Sequence, residues 1–169
     1  MKQKLGTVET RSREQGEYLE ILKAVVMRGE AWCLVVSGKF GNGKTYLAEA
    51  AVNSFNDVFG GGAIYTTQPD IQAELRGGNN KDSYYRKLCS APVLVIDEVS
   101  DRPTDWTEFI KTNIENVLIK RHADNLRTVL IGNVDMKRMK DMFDQRVLDR
   151  LREGLHKTMN GQSLRRNHA

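Results

Sequence analysis

The run Gly38-Lys39-Phe40-Gly41-Asn42-Gly43-Lys44-Thr45 has the spacing G-x-x-x-x-G-K-[ST], that of a phosphate-binding loop. Glycines at these positions let successive backbone N–H groups turn inward on a polyanion, and a helix starting at the lysine adds its positive N-terminal end. In such a loop Lys44 bridges the β- and γ-phosphates of a nucleoside triphosphate, and the Thr45 hydroxyl takes a Mg2+ position. The plain alternative is a glycine-rich turn between a strand and a helix. A Mg2+–triphosphate site also needs a carboxylate on a nearby strand. Asp97, at the end of the apolar run Val93-Leu94-Val95-Ile96, supplies one, and Glu98 beside it is placed to polarise an attacking water. Alone, an Asp-Glu pair would read as a solvated strand end; paired with the upstream loop it reads as chemistry. A third strand-tip residue, Asn133, offers a neutral amide that orients water or senses a γ-phosphate without adding charge.

These residues need a scaffold that brings strand tips together. Tyr18, Ile21, Leu22, Val25 and Val26 recur at helical spacing, so residues 12–28 are predicted as an amphipathic helix stopped by Gly29. Residues 32–37 form a short buried strand, and Leu47, Ala51, Phe55 and Val58 mark the helix after the loop, which ends at Gly60-Gly61-Gly62. Ala63 to Thr66 is a second strand, with Pro69-Asp70 opening a helix over 71–75. Val93 to Ile96 is continuous and β-branched, as befits a strand buried on both faces. Trp106, Phe109, Ile110, Ile114, Val117 and Leu118 trace another helix, and Thr128 to Ile131 another strand. Met139, Phe143, Val147 and Leu151 give one last helix, before a weaker fifth strand over 155–159. Alternating strands and helices predict a parallel sheet covered on both sides, with ligands at the carboxyl ends of its strands.

The chain has 169 residues, enough for one domain that buries about two-thirds of its unfolded surface without a disulfide or metal staple. Cys33 and Cys89 lack the spacing of a zinc knuckle or redox pair and read as buried fillers in a reducing compartment. No apolar run approaches the roughly 20 residues of a membrane span, and Met1 to Thr10 lacks a signal-peptide core, so a cytoplasmic location without membrane contact is expected. Charge is uneven. Residues 1–119 carry 14 Lys/Arg against 16 Asp/Glu, whereas residues 120–169 carry 12 against 6. That basic last third reads either as a solvated face or as a surface for phosphates.

Taken in order, these motifs resemble the AAA+ ATPases, and among them the DnaC/IstB-like group of helicase loaders and transposition helpers. The resemblance rests on residues 38–48, on Val93 to Glu98, on Thr128 to Asn133, and on Arg146-Val147-Leu148-Asp149-Arg150-Leu151. It implies an α/β fold of the P-loop NTPase (AAA+) type: a three-layer sandwich with a central parallel sheet of about five strands, helices on both faces, and little or no separate lid domain. The implied division is a loose segment 1–11, an ATPase core 12–166 and a tail 167–169. Fewer than 32 residues precede the first strand.

The resemblance also distributes roles. Gly38, Lys39, Phe40, Gly41, Asn42, Gly43, Lys44, Thr45 and Tyr46 would bind ATP, with Thr45 and Asp97 on Mg2+. Glu98 would be catalytic, Asn133 would be sensor 1 and Arg150 the arginine finger, acting on a neighbouring subunit's ATP. Arg165, within Ser163-Leu164-Arg165, would be sensor 2, with Arg166 as its rival. Spacing places Arg146 and Arg150 one helical turn apart, and surface pairing with Asp144 or Asp149 is the other reading of Arg146. The implied activity is ATP hydrolysis to ADP and phosphate, slow in an isolated monomer. Head-to-tail assembly into a ring or open spiral on nucleotide or DNA binding, and loading of a replicative hexameric helicase onto single-stranded DNA, follow from the same resemblance. A transposition helper, a P-loop small-molecule kinase and a non-hydrolysing binding module are the alternatives. For DNA contact, Arg76, Lys81, Tyr84, Arg86 and Lys87 interleave cations with an aromatic, as base stacking and backbone charge require. The tyrosines at 84 and 85 would equally form the inner face of a helix. Lys137 and Arg138 are a second candidate.

Overall fold

Five strands form one parallel sheet: Cys33–Gly38 (β1), Ile64–Thr67 (β2), Val93–Val99 (β3), Arg127–Gly132 (β4) and Leu155–Met159 (β5), in the order β2-β3-β4-β1-β5. The computed structural model describes residues 2–77, 79–100, 102–133 and 136–161. Among the described residues, helix Arg13–Leu22 (α1) precedes β1, and Lys44–Phe59 (α2), Gln68–Gly77 (α3), Lys81–Ser90 (α4), Glu108–Ala123 (α5), Met136–Met139 (α6) and Gln145–Arg152 (α7) lie between the strands. No helix of the described residues is long and apolar enough to cross a membrane.

Strand side chains alternate faces, and the two faces build two cores. Leu34, Val36, Val93, Val95, Val129 and Ile131 pack with Tyr18, Leu22, Leu47, Ala51 and Phe55 of α1 and α2. Cys33, Val35, Leu94, Ile96 and Leu130 pack on the other side with Ile71 of α3, Leu88 of α4, Ile114 of α5 and Val147 of α7. Continuous apolar strands are therefore needed at β1, β3 and β4, which lie inside the sheet, and each buried aliphatic side chain contributes about 1.5–3 kcal/mol. At the edge, β5 buries only Met159, which is why its sequence signal is weak. Cys33 and Cys89 are buried and unpaired.

Local signals account for the helix ends. The Ser12 hydroxyl accepts from the Gln15 amide to cap α1, which continues as a π-helical stretch over Lys23–Met27 until Gly29, at φ +68°, ends it. The single helix expected over residues 139–151 is instead two. Asp144 caps α7 by accepting from the Val147 amide at 3.1 Å, and the chain between α6 and α7 turns. Phe143 still reaches the core, edge-on to Trp106 at 5.2 Å, so the apolar spacing holds although the helix does not.

Part of the segment before α1 packs on α2. Leu5 is buried against α2, its amide donates to the Ser54 hydroxyl at 2.7 Å, and Lys4 pairs with Asp57. The basic last third is not all surface. Arg121 is fully buried, donating to Thr128 Oγ1 and to the carbonyls of Leu88, Ala91 and Arg127. Burial pushes its pKa down to about 10, which leaves it a cation at neutral pH. Half-buried Arg127 lies over the Phe55 ring and donates to the Val26 carbonyl.

Candidate functional site

The phosphate loop leaves β1 at Gly38 and enters α2 at Lys44, with Gly38, Gly41 and Gly43 at φ +132°, +82° and +87°. Two of these glycines are also required by neighbours. A Cβ on Gly38 would lie 2.0 Å from the Met159 carbonyl oxygen, and one on Gly43 would lie 2.3 Å from Gln15 Nε2. Within the loop the Lys44 ammonium donates to the carbonyls of Gly38 (2.7 Å) and Lys39 (2.6 Å) and to Asn42 Oδ1 (3.0 Å). All three of its donors are thus used inside the ring of backbone that would receive phosphate. Burial lowers the Lys44 pKa, with Asp97 and Glu14 opposing the shift.

Outside, the loop is held by both ends of the chain. Buried Asn42 donates through Nδ2 to the Met159 carbonyl at 2.8 Å, and its own carbonyl accepts from Gln15 Nε2 at 3.1 Å. The other side-chain atom of Gln15, Oε1, accepts from the Arg11 amide at 2.7 Å. Glu14 receives the amides of Asn160 and Gly161. Lys39 and Phe40 are exposed at the loop tip, and the Tyr46 hydroxyl donates to Gln3 Oε1 at 3.1 Å.

The acidic strand end is shaped by a bulge. Pairing of β3 with β4 shifts register between Ile96 and Val99, so Asp97 and Glu98 lie in the irregular stretch. Glu98 is exposed at φ +54°, a left-handed conformation rare for a non-glycine residue. Asp97 is only 3% exposed, and its Oδ2 accepts two hydroxyls, Thr45 at 2.6 Å and Tyr65 at 2.8 Å, while Oδ1 accepts the Glu98 amide. Since β4 lies between β1 and β3, Asn133 after β4 falls between the loop and the acidic pair. All of them line one cleft of about 1490 Å³.

A hard cation suits this place. The Thr45 hydroxyl donates to Asp97, so its lone pairs remain for an ion, and the buried Asp97 carboxylate beside it supplies the negative charge. Among the described residues no group of three or more His, Cys, Asp or Glu side chains is placed to hold a metal alone. Two protein oxygens completed by phosphate and water oxygens is the arrangement that Mg2+ favours.

The remaining candidates are spread over the surface. Arg76 lines the far wall of the cleft and donates to Thr107 Oγ1 at 3.0 Å. Lys81, Arg86 and Lys87 are exposed on α4, but Tyr84 and Tyr85 turn to the core, and the Tyr84 hydroxyl pairs with that of Thr66 at 3.0 Å. The expected interleaving is therefore split between two faces of one helix, and Tyr84 is not a free stacking platform. Lys137 and Arg138 are exposed on α6. Arg146 pairs with Asp144 at 2.8 Å. Half-buried Arg150 lies outside the cleft. Its Nη1 donates to the Arg146 carbonyl, its buried Nε has no hydrogen-bond partner among the described residues, and its own carbonyl accepts the Trp32 indole. Arg165 and Arg166 lie outside the described residues.

Tyr65, Gln15 and Glu14 were not legible as site residues. Tyr65 reads as an ordinary strand aromatic until β2 is known to lie beside β3. Gln15 and Glu14 read as the polar face of a helix.

No family model matches the sequence. The replicative helicase loader DnaC of Buchnera aphidicola subsp. Acyrthosiphon pisum is 27% identical over 126 residues, which cover 71% of this chain and 50% of that protein. The chain spans about half the length of the curated relatives it matches. Among solved structures, that of the DnaC helicase loader has a TM-score of 0.78 at 17% identity, covering 93% of this chain and 96% of the other. The replication initiator DnaA bound to AMPPCP and single-stranded DNA has a TM-score of 0.77 at 17% identity, covering 94% and 50%. The chain is thus similar in sequence to replicative helicase loaders named DnaC, and it shares the P-loop NTPase fold of the solved DnaC and DnaA structures.

Proposed function

We propose that this chain binds Mg2+–ATP in the cleft at the ends of β1, β4 and β3, hydrolyses it in assemblies of several copies, and serves DNA replication by loading a helicase. The observation that carries the reading is the meeting of Lys44, Thr45, Asp97, Glu98 and Asn133 in one cleft while Arg150 lies outside it. On this reading the loop from Gly38 to Tyr46 cradles the phosphates and Lys44 exchanges its loop carbonyls for phosphate oxygens. Thr45 and Asp97 hold the cation, which supplies charge neutralisation when bound. Glu98 polarises the water and Asn133 orients it. Arg150 completes the site of a neighbouring copy, a head-to-tail contact that builds rings or spirals. The likeness to proteins named as replicative helicase loaders supports the choice of replication and a replicative helicase as the setting.

The test is ATP turnover against protein concentration, with and without single-stranded DNA, for the wild type and Arg150→Ala. Superlinear, DNA-stimulated turnover that falls by orders of magnitude in the variant is expected, because an arginine aimed at the transferring phosphoryl group is worth about a thousandfold or more. Turnover that is linear in protein and indifferent to both DNA and Arg150 would refute the assembly reading. Co-purification with a hexameric helicase then tests the partner.

A further inference from the structure

We infer that Tyr65 is a positioning residue for the divalent cation, acting through Asp97. The inference rests on the nucleotide reading above and concerns a residue that no motif of the sequence includes. Three observations carry it. The Tyr65 hydroxyl donates to Asp97 Oδ2 at 2.8 Å, the same oxygen that accepts Thr45 Oγ1 at 2.6 Å. The parallel register of β2 and β3 sets Tyr65 beside Val95, so its ring reaches along the strand to the carboxylate two residues on. Asp97 is buried and stays in register with Thr67 of β2, while on its other side the ladder to β4 shifts register and leaves it without a β4 partner.

An oxygen that accepts two hydroxyls cannot rotate without losing both. Tyr65 therefore fixes the carboxylate plane, and with it the direction in which the Thr45 lone pairs face the cleft. Hydrogen bonds from outside the ligand shell orient metal-ligating groups in this way, and their loss commonly weakens metal affinity about 10- to 100-fold. Nothing in this role touches phosphate, so the effect is confined to the cation.

The experiment measures the affinity of the full chain for a fluorescent ATP analogue, in EDTA and over a Mg2+ series, for the wild type, Tyr65→Phe, Asp97→Asn and the double variant. Phenylalanine keeps the ring and removes only the hydroxyl, and thermal melting checks the fold. Tyr65→Phe is expected to match the wild type in EDTA and to raise the half-saturating Mg2+ about tenfold. In the double variant the Tyr65 change adds no further loss. A Mg2+ response unchanged by Tyr65→Phe overturns the inference, as does an equal loss in EDTA, which would mark the hydroxyl as merely structural. A wild type that binds the analogue without responding to Mg2+ overturns the nucleotide reading itself, and the inference with it.

Discussion

Replacing Arg121 with methionine separates the stability of this fold from its site chemistry. The guanidinium is fully buried and spends four hydrogen bonds of 2.7–2.9 Å on Leu88 O, Ala91 O, Arg127 O and Thr128 Oγ1. The first two are acceptors at and just beyond the last turn of α4, where the Ala91 amide and the Ser90 hydroxyl already fill the Lys87 and Arg86 carbonyls. Methionine fills most of the volume and restores none of the donors. Each orphaned buried acceptor costs about 1 kcal/mol at the low end of the usual range, and breaking a buried charged network costs about 3–5 kcal/mol. Removing the desolvated cation gives some of that back, so a loss of about 3 kcal/mol is expected. For a chain of this size it lowers the melting temperature by roughly 10 °C. Urea unfolding of wild type and variant measures it, and the midpoint should move without a change in slope. Because the network lies at the start of β4 and the cleft lies beyond its end, affinity for an ATP analogue well below the melting temperature should change by less than about twofold. A stability loss under about 1 kcal/mol would show that these carbonyls find other donors and that the network is not what ties α4 to α5 and β4.

The other predictions concern the loop and α7. Gln15→Ala removes the donor to the Asn42 carbonyl and orphans the Arg11 amide. It is expected to cost about 1 kcal/mol in stability and to weaken ATP-analogue binding about fivefold in a fluorescence titration; unchanged affinity would show that α1 does not brace the loop. Asp144→Ala removes the cap of α7 and should cost about 1 kcal/mol, read by urea unfolding near neutral pH. The pH dependence of that loss is set by the Asp144 pKa, which the Arg146 hydrogen bond, the cap bond from Val147 and the Arg146 charge hold below its ordinary value. The stabilisation is therefore complete above the unfolded value near 3.9 and is lost as pH falls through the lower folded value. A wild-type-to-variant difference that disappears already near pH 6 would contradict this.

The phosphate loop, Asp97, Glu98 and Asn133 were identifiable from sequence because each stands at the end of an apolar run whose length and β-branching mark a strand. Backbone chemistry, glycine above all, makes the loop a local feature. The two-sided sheet was equally legible, since β1, β3 and β4 must be apolar on both faces. Other features depend on which strands become neighbours. Only the order β2-β3-β4-β1-β5 sets Asn133 between the loop and the acidic pair, and Tyr65 beside Asp97. Only packing turns Tyr84 and Arg121 inward, where sequence left an aromatic among cations and one more charge in a basic third. The bulge that presents Glu98 at φ +54° has no sequence signature, because it arises from a mismatch in register between two strands. Residue type and spacing thus determined which groups are candidates for the site's chemistry, through forces that act along the chain. Tertiary structure decided which groups hold that chemistry in place, because hydrogen bonds such as Tyr65–Asp97 and Gln15–Asn42 join residues that only folding brings together.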